Sequence, residues 1–223
     1  DIFFFFFTPK QITVSIGIDK RFGVEDVEEL YAGILLACSR HHVDVVGGDT
    51  TSSLTGLCIS ITCIGEGEVG KIAYRSGAKQ NDLICVSGSL GAAYMGLQLL
   101  EREKRLFQND KNLEGVQPDF AGKEYIIQRQ LKPEARGDII KALADAGIVP
   151  TSMMDISDGL SSELFHICDQ SGVGCTIYED KIPIDYETAM MAEEFNMNLV
   201  TAALNGGEDY ELLFTVPLEM HEK

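Results

Sequence analysis

Between residues 11 and 18 the chain alternates strictly, with Ile12, Val14, Ile16 and Ile18 on one side and Gln11, Thr13, Ser15 and Gly17 on the other. That period of two predicts a strand with one buried face. The period then changes. From Val24 to Arg40, Val27, Leu30, Tyr31, Ile34 and Cys38 recur at steps of three and four, the stripe of an amphipathic helix. Glu25, Asp26, Glu28 and Glu29 crowd its opening turns, where the helix dipole favours negative charge. Apolar segments at 43–46 and 57–64 predict two further strands, the first ending in Gly47-Gly48-Asp49-Thr50 and the second in Gly65-Glu66-Gly67.

The glycine-bearing stretch from Gly65 to Gly70 reads as a linker and sets a boundary within residues 66–75. Beyond it, 83–87 predicts a strand running into a Gly88-Ser89-Leu90-Gly91 turn and a helix over 92–105. Residues 106–124 are polar and read as a surface excursion. Helices are expected at 137–146, 157–171 and 186–195, with extended segments at 152–154, 173–178 and 210–216. Strands that alternate with helices place the chain in the α/β (α+β) class, as two domains over 1–70 and 71–223.

A length of 223 residues suffices for a sizeable core. The 18 Lys and Arg against 35 Asp and Glu leave a formal charge of -17, a surface that repels nucleic acid and anionic lipid. An acidic chain still binds nucleotide when divalent cations neutralise carboxylates and phosphates together, so metal is expected rather than a basic patch. The six cysteines contain no Cys-x-x-Cys pair and mostly sit within apolar runs; they read as small buried hydrophobes in a reducing, cytoplasmic setting. No apolar stretch reaches the roughly 18 residues that span a bilayer. Phe3 to Phe7 is five consecutive aromatics, which no strand or helix can turn to one side.

Three acidic loops follow apolar segments: Gly47-Gly48-Asp49-Thr50, Asp155-Ile156-Ser157-Asp158-Gly159-Leu160 and Gly206-Gly207-Glu208-Asp209-Tyr210-Glu211-Leu212. Each has an ordinary explanation, a glycine turn or a helix N-cap. Three in one chain suggest a polyphosphate and magnesium site, because carboxylates that met without metal would repel one another. Arg75 in Arg75-Ser76-Gly77-Ala78 adds a permanent cation suited to phosphate. The Ser87 to Gly91 turn lacks a Walker lysine and the dinucleotide glycine spacing, and close helix-to-strand packing explains it better. His41, His42, His166 and His221 form no metal spacing, and no Ser/His/Asp or Cys/His arrangement is present.

The order and wording of these four motifs resemble the thiamine-monophosphate kinase family, within the superfamily of aminoimidazole ribonucleotide synthetase. The resemblance runs from the first residue to about Pro217. It implies a two-domain synthetase-like fold, whose N-domain strands form the barrel of a homodimer, and phosphoryl transfer from ATP to thiamine monophosphate with several Mg2+ ions. By position it implies ATP contacts at Gly48, Asp49, Arg75 and Ser157. Magnesium ligands are implied at Asp1, Asp49, Asp155 and Asp158, and substrate-side residues at Glu208 and Asp209. No side chain is implied as an acid, base or nucleophile. The family's acidic Gly-Asp-Asp-Ala type motif would precede residue 1, and its aromatic substrate contact would follow the last residue. Two alternatives stand beside this one: another ATP-using member of the superfamily, of the aminoimidazole ribonucleotide or selenophosphate synthetase type, and a nonenzymatic nucleotide-binding dimer module.

Overall fold

The computed structural model describes residues 7–109, 118 and 120–221, and the chain divides into two compact units, Asp1–Ile72 and Ala73–Lys223. The first contains β1 (Thr8–Ile18), α1 (Val24–His41), β2 (Asp44–Ser52) and β3 (Cys58–Glu66). Its sheet runs β2-β1-β3, with β1 parallel to β2 and antiparallel to β3. Parallel neighbours need a crossover, which α1 provides. Ile12, Val14 and Ile16 of β1 pack against Val27, Leu30, Tyr31, Ile34 and Cys38 of α1, so the two periods read from the sequence meet in one core.

The start of α1 is closed by Asp26, whose Oδ2 accepts the Gly23 N–H at 2.8 Å. Its end is closed by His42 in the left-handed conformation (φ 55), which donates its N–H to the Cys38 carbonyl. The segment expected to stop at Gly47 does not stop there. β2 continues to Ser52, with Gly48 opposite Val14 and Asp49 opposite Ser15. A side chain at Gly48 would fall on the Val14 carbonyl, so the glycine that reads as a turn is instead a point where the neighbouring backbone leaves no room for a side chain.

The second unit contains β4 (Leu83–Val86), α2 (Ala92–Asn109), α3 (Glu124–Leu131), α4 (Gly137–Asp145), β5 (Ser152–Asp155), α5 (Leu160–Ser171), α6 (Tyr186–Glu194), α7 (Leu199–Asn205) and β6 (Leu212–Val216). Its sheet runs β4-β6-β5 and is antiparallel throughout. All five residues of the central strand β6 are buried. One cluster joins Met154, Ile156 and Leu213 to Leu160, Leu164 and Ile167 of α5. A second joins Met95 and Leu99 of α2 to Ile126 of α3 and Met191 of α6. At Gly96 a Cβ would come within 2.5 Å of the Ile126 carbonyl, so glycine sets the depth of the α2–α3 contact.

Several expectations are corrected. Residues 173–178 join no sheet among the described residues, although they read as a strand. Helices α3 and α7 lie in segments that carried no helical expectation, because eight and seven residues give too few turns for a stripe to repeat. The helix expected from 157 begins at Leu160, leaving Ser157, Asp158 and Gly159 in a loop. Of the cysteines only Cys38 is buried, whereas Cys58 and Cys175 are exposed. Among the described residues no helix is long and apolar enough to cross a membrane. Asp1 and Phe3 to Phe6 lie outside the described residues.

Leu213 of β6 is fully buried and packs with Met154, Ile156 and Leu164 in the second unit's core. Leu213→Ala is expected to cost about 2–5 kcal/mol in urea unfolding, through lost burial plus a residual cavity. Phe165→Ala, at a side chain 75% exposed on α5, is expected to stay within about 0.5 kcal/mol of the parent.

Candidate functional site

β5 ends at Asp155, paired with Leu212 of β6. The two chains stay together past the sheet. The Ile156 N–H donates to the Glu211 carbonyl at 2.8 Å, the Tyr210 N–H to the Ile156 carbonyl at 2.9 Å, and the Glu208 N–H to the Ser157 carbonyl at 2.8 Å. Two glycines make the approach possible. A Cβ on Gly207 would lie 2.6 Å from the Ser157 carbonyl, and Gly159 sits at φ 121 with Leu204 and Asn205 backbone 2.8–2.9 Å from where its Cβ would be. Two acidic loops about fifty residues apart in sequence are thereby one structural element.

On one face of that element lie the carboxylates. Asp155 is buried and accepts the Ser157 hydroxyl on Oδ2, whereas Asp158 and Glu208 are exposed. Tyr210 reaches the same face: burial pushes its phenol up, and the negative charges of Glu208, Asp155 and Asp158 push it further. No lysine or arginine pairs with Asp155, Asp158 or Glu208 among the described residues. All the donors are oxygens without a neutralising side chain, a set that suits a hard divalent cation. Among the described residues no three acidic, imidazole or thiol groups are drawn tightly enough to enclose one.

The opposite face is an anchor. Asp209 is buried; its Oδ2 accepts the Gly91 N–H at 2.6 Å and its Oδ1 the Ala93 N–H at 3.2 Å, at the start of α2. Burial raises its carboxyl despite those bonds and the nearby Arg129. Glu211, 2% exposed, accepts Arg129 at 2.9 Å on Oε1, and Arg136 at 2.6 Å together with the Ser87 hydroxyl on Oε2. Arg129 also donates to the carbonyls of Asp209 and Ser89. Glu208 (φ 72) and Tyr210 (φ 50) are left-handed non-glycine residues, each costing about 1–3 kcal/mol. Residues 208 and 210 therefore point to the carboxylate face and 209 and 211 into the anchor.

The sequence expectations divide accordingly. Asp155, Ser157, Asp158 and Glu208 come together in the second unit, while Asp209, expected on the substrate side, has its carboxylate occupied by the α2 backbone. Arg75 is exposed in a loop that runs beside β5, held where the Met153 N–H donates to the Tyr74 carbonyl at 2.8 Å. Gly48 and Asp49 lie within β2 of the first unit, exposed in mid-strand rather than in a terminal loop. The Ser87 to Gly91 turn is a packing feature, with Gly88 against the Glu211 carboxylate and the Gly91 amide taken by Asp209. Tyr210, Glu211, Arg129 and Arg136 were not among the expected site residues. The one signal was Glu211, a charge beside an otherwise apolar strand; the arginines sit on or near helices with no motif.

The first 67 residues match the family model described as AIR synthase related protein, N-terminal domain, and residues 79–217 match its C-terminal domain. The chain is 36% identical over 211 residues to the thiamine-monophosphate kinase of Aquifex aeolicus (strain VF5), covering 95% of this chain and 63% of that protein. It is 34% identical over 214 residues to that of Bacillus subtilis (strain 168), covering 96% and 61%. Among solved structures it resembles AaThiL complexed with AMPPCP and TMP, at a TM-score of 0.85 and 34% identity over 98% of this chain and 65% of that one. The hydrogenase maturation protein HypE in complex with ATP, at 0.74 and 19% over 98% and 60%, shares the fold. The chain thus spans a little over three fifths of the length of the kinases it matches.

Because Glu211 is buried between two arginines, Glu211→Ala is expected to cost about 3–5 kcal/mol in urea unfolding, the effect of stranding a buried charge. Glu211→Gln, which keeps the shape and one acceptor, is expected to lose clearly less.

Proposed function

This chain belongs to the AIR synthase related protein family, and from that premise we propose that it is part of a kinase that transfers the γ-phosphoryl group of ATP to the phosphate of thiamine monophosphate, giving thiamine diphosphate and ADP. The observation that carries this reading is the backbone fusion of the 155–159 and 206–211 loops, which gathers Asp155, Ser157, Asp158 and Glu208 on one face. The kinase relatives and the resemblance to a structure holding AMPPCP, an ATP analogue, together with TMP support it. The Tyr210 hydroxyl beside Glu208 fits a site that orients a polar acceptor.

In this reading Asp155 and Asp158 of the second unit would hold Mg2+, which would offset charge as two polyanions approach, and Asp49 and Asp1 are the magnesium ligands proposed in the first unit. The chain's own work is positioning. In the second unit Ser157 and Arg75 would address ATP and Glu208 the acceptor, carried by Asp209 beneath it; Gly48 and Asp49 are the ATP contacts proposed in the first unit. The acceptor oxygen of a phosphate monoester is anionic at neutral pH, so no side chain needs to remove a proton, and alignment supplies the rate. This is why carboxylates, glycines and arginine dominate the motifs and no histidine enters them.

We further propose a homodimer that covers the first unit's sheet. Both edge strands, β2 and β3, are open among the described residues, and Val45, Val46, Ile59 and Ile61 are exposed on them, an arrangement that edge-to-edge association relieves. Light scattering of the full-length protein at micromolar concentration is expected to give twice the chain mass, and a monomer would refute the dimer.

Full-length protein with ATP and magnesium is expected to form thiamine diphosphate from thiamine monophosphate and to leave free thiamine nearly untouched, because an alcohol acceptor needs a base that this site does not offer. Chromatography with each acceptor in turn decides it. Asp155→Asn should lower turnover by about 10–100-fold and raise the magnesium requirement, with little change in melting temperature. Equal turnover of free thiamine, or ATP hydrolysis indifferent to thiamine monophosphate, would sink the assignment.

A further inference from the structure

The geometry points to Glu163 as a positioning residue: a buried side chain of α5 that fixes the Ser157–Asp158 backbone so that their side chains can meet a magnesium–nucleotide complex. It deepens the function proposed above and rests on it. Glu163 is 2% exposed. Its Oε1 folds back over the start of α5 to accept both the Ser157 N–H at 3.2 Å and the Asp158 N–H at 2.9 Å. With those two bonds made, the loop has little backbone freedom left, since Ile156 is held by Glu211 and Tyr210 and the Ser157 carbonyl by Glu208. Neither amide is available to a phosphate. What the loop presents is side chains alone, Asp155, Ser157 and Asp158.

A second observation separates this from ordinary helix capping. Glu163 Oε2 is buried and has no hydrogen-bond partner among the described residues, and a buried carboxylate oxygen left unpaired is costly. Local stability alone would be served better by a residue without that oxygen. Local rules broken in this way are expected where position matters more than stability. The two amides lie in consecutive residues whose side chains diverge, Ser157 toward Asp155 and Asp158 into solvent. One acceptor atom holding both amides sets the angle between them, as outer-shell partners do for ligating groups.

The test compares Glu163→Ala and Glu163→Gln in full-length protein. Binding of magnesium–AMPPCP and, separately, of thiamine monophosphate is followed by calorimetry, and amide exchange at Ser157 and Asp158 by mass spectrometry. Glu163→Ala is expected to weaken magnesium–AMPPCP by about tenfold and to speed exchange at the two amides, leaving thiamine monophosphate affinity within about twofold. Glu163→Gln keeps the accepting oxygen and is expected within about threefold of the parent for both ligands. A folded Glu163→Ala variant that binds magnesium–AMPPCP like the parent overturns the inference, as does equal weakening of both ligands in step with a falling melting temperature. If Glu163→Ala does not fold, the parent still decides: slow exchange at Ser157 and Asp158 without ligand supports the inference and fast exchange refutes it. Parent protein that binds no magnesium–AMPPCP refutes the proposed function, and the exchange measurement still reads the role of Glu163 independently.

Discussion

The antiparallel pairing of β5 with β6, carried three hydrogen bonds beyond the strands, is the interaction on which the candidate site depends. Within the sheet, side chains alternate between faces, and Met153, Met154, Leu212 and Leu213 are consumed by packing. Beyond Asp155 and Leu212 the strands are no longer regular but their backbones remain bonded, from Ile156 to Glu211 and Tyr210 and from Ser157 to Glu208. The hydrophobic core thereby fixes the height at which the carboxylates emerge. A site built on that continuation inherits the rigidity of the sheet, whereas two independent loops would each have to be ordered on binding.

That continuation has an energetic cost of its own. Glu208 and Tyr210 both occupy left-handed backbone, and Asp209 and Glu211 are buried carboxylates in a strongly acidic protein. The compensation lies directly underneath. Asp209 takes the first free amides of α2, which every helix must satisfy somehow, and Glu211 takes two arginines from different segments. The strain at 208 and 210 and the anchors at 209 and 211 are one device, because the left-handed turns at 208 and 210 alternate with the buried carboxylates at 209 and 211. Arg129 closes it by bonding the Asp209 carbonyl as well as the Glu211 side chain.

The sequence disclosed the chemistry of this site more readily than its geometry. Asp155, Ser157, Asp158 and Glu208 were legible because glycine and carboxylate cluster in few kinds of loop, and their wording matched a family. The β1–α1 core was legible because its two periods are uninterrupted over Gln11 to Cys38. Gly48 was misleading. Glycine marks both turns and close approaches, and only the opposing Val14 carbonyl tells which. Residues 173–178 carry the β-branched pattern of a strand, yet strand character is completed by a partner and none is bonded there among the described residues. Arg129 and Arg136 could not be found, since an arginine on a short helix gives no sign that it faces a buried glutamate more than seventy residues away.

The arrangement also accounts for the kind of reaction such a site can run. Under the proposed function, a face of unneutralised oxygens would repel an anionic acceptor until cations arrived, so the charge that opposes binding of either polyanion alone would become the means of holding both as metal complexes. A site of that proposed function would gain nothing from a general base, because a phosphate-monoester acceptor is already ionised; what it would need is that the carboxylates do not move when charge is redistributed during transfer. Rigidity is therefore the property to look for beneath the acidic face. It is supplied by Glu163 behind one loop, through Oε1 on two backbone amides, and by Asp209 and Glu211 behind the other, through backbone amides and arginines.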